Sequence, residues 1–236
     1  MANAEKKTTS LQSMIATALF ITLVLSLIFS LFRFFTAPAE IFEGEPYRKV
    51  KSDYLLMSMQ CASGLIVMLL PTFITRRFKL VVPDFMCVLY YIFLYLAVFL
   101  GEIFSFYYKI PYWDVLLHTM SGAMLGALGF ILIDWLNRDS HVKLSASPIF
   151  VSLFAFSFAL AIGAMWEIYE FSFDSLFGLN MQKFRAEDGR LLIGRDALVD
   201  TMKDIITDAA AAMAVSVIGY VKNVKKKNKK VQKQGG

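Results

Sequence analysis

The chain has 236 residues, 57% of them hydrophobic and only 18% charged, with a formal net charge of +5 and two cysteines. So apolar a composition excludes a water-soluble globular domain and a disordered segment. Two cysteines exclude a disulfide framework, and without a CxxC pair a thiolate metal site is not expected.

A spanning helix needs roughly 20 mostly apolar residues. In chain order, such stretches cover 11–35, 54–74, 81–104, 115–136, 148–170 and 202–221. The first follows Lys6 and Lys7, and Ala37-Pro38-Ala39 imitates a signal-peptidase site. Its apolar run exceeds the roughly 7–15 residues of a cleavable segment, and Arg33 interrupts the approach, so a retained helix is expected. The pattern predicts an all-α membrane protein: a cytoplasmic N-terminus (1–10), a single bundle of six transmembrane helices (11–221) and a polybasic tail (222–236). Cys61 and Cys87 fall within spans as small core residues.

Lys6, Lys7, Arg76, Arg77, Lys79, Arg138, Lys143 and the tail lysines (Lys222, Lys225, Lys226, Lys227, Lys229, Lys230 and Lys233) fall on one side of that topology. The positive-inside bias therefore places both termini in the cytoplasm. The opposite side mixes its positives with Glu40, Glu43, Glu45, Glu187 and Asp188. The tail reads as an anchor that touches anionic lipid head groups. It lacks the aromatic platform of a nucleic-acid reader, and no nucleic acid is expected as a partner.

With orientation set by Lys and Arg alone, the acidic residues converge on the outer face, in the stretch 100–208. Glu102 ends the third span, although a surface position explains it equally well. Asp114 and His118 are spaced i,i+4 at the start of the fourth, and Glu167, Glu170 and Asp174 share a face at the end of the fifth. Asp196, Asp200, Asp204 and Asp208 recur every fourth residue and lead into the apolar run 209–221. A carboxylate near mid-bilayer costs on the order of 2.5–3.5 kcal/mol on insertion scales. Protons, a cation, or pairing with Arg190, Arg195 or Lys203 would offset that.

The sharpest expectation is a metal set of Asp114, His118, Glu167, Asp204 and Asp208 holding one or two divalent cations (Mg, Mn or Zn). Glu170 or Asp200 would act as base, and Arg190, Arg195 and Asp174 would meet a substrate head group. The blander readings are aspartates that bond helices together, an interfacial helix end at 167–174 and a satisfied bundle histidine. Phe104, Tyr107, Tyr108, Tyr112, Trp113 and Trp166 read as an interfacial aromatic belt. Asp84, Asp134 and His141 lie at cytoplasmic ends and carry no assigned chemistry. Gly178, Gly189 and Gly194 punctuate the 175–197 loop, read either as an ordinary exposed loop or as a lid over the acidic cavity. The single nearby histidine does not fit the paired Glu-x-x-His of di-iron bundles, and no hydrolase or nucleotide motif is present.

Four blocks resemble one known group. They are Trp113-Asp114-Val115-Leu116-Leu117-His118, Gly163-Ala164-Met165-Trp166-Glu167-Ile168-Tyr169-Glu170-Phe171, Phe177-Gly178-Leu179-Asn180-Met181-Gln182 and Asp200-x-x-x-Asp204-x-x-x-Asp208. Together they resemble the YjdF-like bacterial inner-membrane proteins over roughly 100–215. The resemblance implies a polytopic membrane protein and no established activity. A looser likeness to VanZ-like proteins, a group linked to glycopeptide resistance through an undefined envelope mechanism, rests on Asp114/His118, Glu167 and Gly194-Arg195. Asp204 and Asp208 depart from that pattern, which favours cation binding and sets a shared resistance role in doubt.

The sequence therefore points to a metal-dependent enzyme acting on phospholipid or polyprenyl-phosphate head groups at the outer leaflet. The alternatives are a non-catalytic lipid- or partner-binding envelope protein and a proton- or cation-coupled transporter.

Overall fold

The computed structural model describes residues 2–40, 49–137, 146–186 and 190–234. The sequence readings on Glu43, Glu45, Arg138, His141, Lys143, Glu187, Asp188 and Gly189 lie outside the described residues, as do the side chains of Lys6, Lys7, Lys230 and Lys233. The helices are α1 (Ala2–Thr36), α2 (Lys51–Val67), α3 (Leu70–Phe78), α4 (Asp84–Leu94), α5 (Phe106–Lys109), α6 (Trp113–Leu136), α7 (Pro148–Phe177) and α8 (Arg195–Gln234). A π-helix over Tyr95–Ile103 continues α4. There is no strand among the described residues, and six helical stretches are long and apolar enough to cross a membrane: Leu11–Thr36, Lys51–Phe78, Asp84–Ile103, Trp113–Leu136, Pro148–Phe177 and Arg195–Lys229.

The boundaries depart from the sequence reading for local reasons. The second span breaks at residues 68–69, just before Pro71, whose missing N–H suits the first turn of α3. The third turns to i→i+5 bonding, with Phe104 N–H donating to the Phe99 carbonyl at 3.2 Å. The fifth runs on to Phe177 and stops at Gly178, whose φ of 65° is the left-handed cap glycine allows. The last begins at Arg195 rather than 202, because Asp196 in the first turn complements the helix dipole.

The residues form two units. One comprises Met1–Leu117 with Glu167–Met202, the other His118–Trp166 with Lys203–Gly236. In the first, Leu19, Leu23, Cys61, Cys87, Tyr91 and Leu94 share a buried core, so both thiols are packing atoms as expected. A second contact patch joins Leu56 to Leu179 and Met181, fixing the segment after α7 on α2. Ser58 donates to Ser30 at 2.9 Å, a polar rivet between α2 and α1.

The second unit is built on close helix approach. Hydrocarbon gives no hydrophobic drive between helices in lipid, so packing rests on small residues. An added Cβ at Gly122 would lie 2.7 Å from the Asp208 carbonyl oxygen of α8, and one at Gly129 2.7 Å from Ala155 Cα of α7. Gly129→Val should therefore force α6 from α7 and cost about 1–3 kcal/mol, read as a lower Tm in detergent. Gly126→Ala, whose Cβ would meet Val215 at an ordinary 3.4 Å, should leave Tm nearly unchanged.

Candidate functional site

In the second unit, α6 supplies His118 and Ser121, α8 supplies Asp204 and Asp208, and α7 supplies Gly163. The i,i+4 spacing of the two aspartates turns both toward the imidazole. His118 Nδ1 lies 3.2 Å from Asp208 Oδ2, and His118 Nε2 lies 3.7 Å from Asp204 Oδ1. Ser121 Oγ lies 2.9 Å from Asp208 Oδ1 and 3.0 Å from the His118 carbonyl, two acceptors for its single proton. Asp204 and Asp208 are 4% and 2% exposed. Gly163 makes room for this arrangement: a Cβ there would sit 2.5 Å from Asp208 Oδ2.

A neutral imidazole has one N–H and one lone pair, whereas the protonated ring has two N–H groups. With a carboxylate at each nitrogen, His118 can act as an imidazolium between two anions. It can also donate from Nδ1 to Asp208 and present a bare Nε2 beside Asp204. The second state is the arrangement in which a carboxylate fixes the tautomer of a metal-binding histidine.

In the first unit, the polar centre is Lys183, a residue the sequence reading did not single out. Its ammonium is ion-paired with Asp114, lies 4.0 Å from Asp200 Oδ2 and sits 4.4 Å from the Tyr107 ring centroid. Burial would lower its pKa, but Asp114 first, then Asp200, Tyr107 and Glu170, outweigh it and hold Lys183 above the ordinary lysine value. Burial raises the Tyr107 phenol well above its usual range despite the neighbouring cation. Both groups thus keep their protons at neutral pH.

Asp174 explains how Lys183 is placed. Its two carboxylate oxygens accept the backbone N–H groups of Met181 (2.7 Å) and Gln182 (2.9 Å), and Gln182 Nε2 donates to Thr201 Oγ1 at 2.9 Å. The carboxylate expected to meet substrate anchors the turn that carries Lys183, whose φ is 49°.

The expected metal ligands are Asp114, His118, Glu167, Asp204 and Asp208. His118, Asp204 and Asp208 meet in one unit. Asp114 belongs to the other, ion-paired with Lys183, and Glu167, also there, is 4% exposed. Glu170, the expected base, is partly buried among the charges acting on Lys183, and Asp200 is a partner of Lys183. Arg190, Arg195, Lys203 and Asp196 are exposed. Gly122, Gly126 and Gly129 also went unremarked in the sequence, though they repeat at helical spacing along α6, a readable sign of close packing, and Gly163 entered only as part of a family-like block.

Residues 17–225 match a family described as "Predicted membrane protein (DUF2238)", in agreement with the YjdF-like resemblance. The VanZ-like likeness has no counterpart in this match. No curated protein and no solved structure matches the chain.

Lys183→Met leaves Asp114 and Asp200 without their ammonium and should cost about 2–3 kcal/mol of stability. Adding Asp114→Asn should recover part of that, a coupling that a double-mutant cycle of thermal unfolding measures. Because the folded pKa lies above the unfolded value of about 10.4, the contribution is fully present below that value and fades as pH climbs through the folded one. The Lys183→Met deficit should thus stay constant from about pH 7 to about pH 9.

Proposed function

The chain belongs to the DUF2238 family of predicted membrane proteins, and we propose that this member is a multi-pass protein of the bacterial cytoplasmic membrane that holds a divalent cation and uses it on phosphate-bearing lipid head groups. The observation that carries the reading is the run Asp208–His118–Asp204. In the tautomer that donates from Nδ1 to Asp208 Oδ2 at 3.2 Å, the Nε2 lone pair faces Asp204 Oδ1 at 3.7 Å. That separation is too long for a hydrogen bond. It fits two ligands that each approach one ion to about 2.0–2.2 Å.

A cation also meets the electrostatic demand. Two carboxylates at 2% and 4% exposure inside a spanning helix need more positive charge than one imidazole supplies. A nitrogen ligand beside carboxylate oxygens suits Zn²⁺ or Mn²⁺, and Mg²⁺ would draw its remaining ligands from water and phosphate. Such an ion polarises a phosphoryl oxygen or lowers the pKa of a bound water. Phospholipid and polyprenyl-phosphate head groups carry that oxygen. The Lys/Arg bias supports cytoplasmic termini and a site toward the outer leaflet.

A second reading draws on the same contacts. An imidazole between two carboxylates is also a proton-carrying unit, as a cation-coupled transporter would need.

The test is metal content and metal response. Protein purified without chelator should carry bound metal by elemental analysis. Zn²⁺ or Mn²⁺ at 100 times its Kd should stabilise the apo form by about 2.7 kcal/mol. His118→Ala and Asp204→Asn should abolish the shift, and Asp208→Asn should weaken affinity about 10–100-fold. Neither bound metal nor a shift would end the cation reading, and proton flux in proteoliposomes lost in Asp208→Asn would replace it with transport. Metal binding without phosphate release from phospholipid or polyprenyl diphosphate in mixed micelles would leave a non-catalytic head-group binder.

A further inference from the structure

The unit made of Met1–Leu117 and Glu167–Met202 contains a cleft separate from the histidine cluster and independent of the cation reading. It is narrow, enclosing about 30 Å³ within about 420 Å³ of space that runs out through its open mouth, and lies between the start of α2, the end of the π-helix, α5 and the segment after α7. Its polar walls come from span ends and connections. Lys49 and Asp53 flank the start of the span Lys51–Phe78, and Glu102 is the penultimate residue of Asp84–Ile103. Ser105, Tyr108 and Arg185 lie between spans. That is the depth at which lipid head groups sit.

The chemistry of the walls is balanced: two cations, Lys49 and Arg185, face two carboxylates, Asp53 and Glu102. Asp53 caps α2 by accepting the Val50 N–H at 2.8 Å and lies 3.6 Å from Arg185. Asn180, only 7% exposed, organises the opposite wall. Its Oδ1 accepts the Arg185 N–H at 2.9 Å. Its Nδ2 donates to the Arg185 carbonyl at 2.7 Å and to the Tyr108 hydroxyl at 3.0 Å. Tyr108 therefore accepts from Asn180 and keeps its own proton to donate. Burial, then the Glu102 charge, pushes that phenol up to about 12 despite the Asn180 bond, so the donor persists at neutral pH.

Ser105 adds a second donor. It is 5% exposed and adopts φ 61°, a conformation that favours glycine. Its hydroxyl does not cap α5 and makes no side-chain hydrogen bond among the described residues. Its hydroxyl therefore stands in the cleft wall as a hydrogen-bond donor.

We propose that this cleft binds a phosphoethanolamine group, its phosphate held by Arg185, Lys49 and the Ser105 and Tyr108 hydroxyls, and its primary ammonium held by Glu102. A purely anionic group would leave Glu102 opposed, and a purely cationic one would leave Arg185 and Lys49 opposed. A quaternary ammonium has no N–H for the carboxylate to accept. The same group occurs on a bilayer lipid and on soluble esters, and the depth of the cleft favours the lipid.

The experiment is native mass spectrometry of the full chain released from nanodiscs containing phosphatidylethanolamine, phosphatidylcholine and phosphatidylglycerol with identical acyl chains. Phosphatidylethanolamine should be retained about tenfold over the other two. Glu102→Gln should erase that preference. Ser105→Gly, whose backbone suits φ 61°, should lower retention about threefold at unchanged Tm. Competition by glycerophosphoethanolamine would support the same site with a soluble source, and preference without competition would assign the bilayer lipid. Equal retention of the three lipids, an unchanged preference in Glu102→Gln, or unchanged retention in Ser105→Gly would overturn the proposal and leave the metal measurements at His118 unaffected.

Discussion

A carboxylate inside a membrane-spanning helix must be met by donors or by a cation, and Asp208 of α8 is accommodated by α6 and α7 together. His118 and Ser121 reach its two oxygens from α6, while Gly163 of α7 and Gly122 of α6 leave space for its carboxylate and backbone. No one of these features suffices. A side chain at Gly163 would strike Oδ2, and loss of Ser121 would leave a buried acceptor short of a donor. The close packing of this unit and its polar chemistry are thus one construction, because the glycines that bring the helices together also seat the charge.

The other unit answers the same demand differently. Its carboxylates Asp114 and Asp200 are neutralised by Lys183, a cation that keeps its proton across the physiological range. The placement of that lysine is fixed by Asp174 and by the buried Leu179 and Met181, which hold the segment before it against α2. A permanent ammonium settles the charge for good and makes the arrangement structural. An imidazole settles it only conditionally, since its charge depends on a proton or on a metal at Nε2. The contrast sets a fixed ion pair beside a histidine whose charge can change, and the cation proposal is therefore centred on His118.

Backbone irregularities gather where the first unit carries its polar groups. Ser105, Tyr112 and Lys183 are non-glycine residues with positive φ, and the π-helix ends beside the first of them. Within that π-helix, Gly101 admits Tyr107, whose ring would lie 2.5 Å from any added Cβ, and Tyr107 in turn forms the aromatic floor under Lys183. A π-turn in an otherwise apolar span is a local departure of the kind found at functional sites. Here it sets the connection that supplies Ser105 and Tyr108 to the cleft.

Six spans, the stripe of aspartates and the buried cysteines were legible in the amino-acid order, because hydropathy, helical spacing and residue size act over one or two turns. The pairing of His118 with Asp204 and Asp208 was legible in part, since i,i+4 repeats on two helices limit which residues can face one another. The tertiary structure decided the rest. Asp174, expected to meet a substrate, anchors a loop through backbone N–H groups of a turn whose conformation no periodicity encodes. Lys183 was invisible as a site residue because its importance lies in a left-handed backbone and in carboxylates far away in the chain. The glycines of α6 and α7 show their purpose only against the atoms they make room for, since the absence of a side chain acquires meaning from what occupies the space.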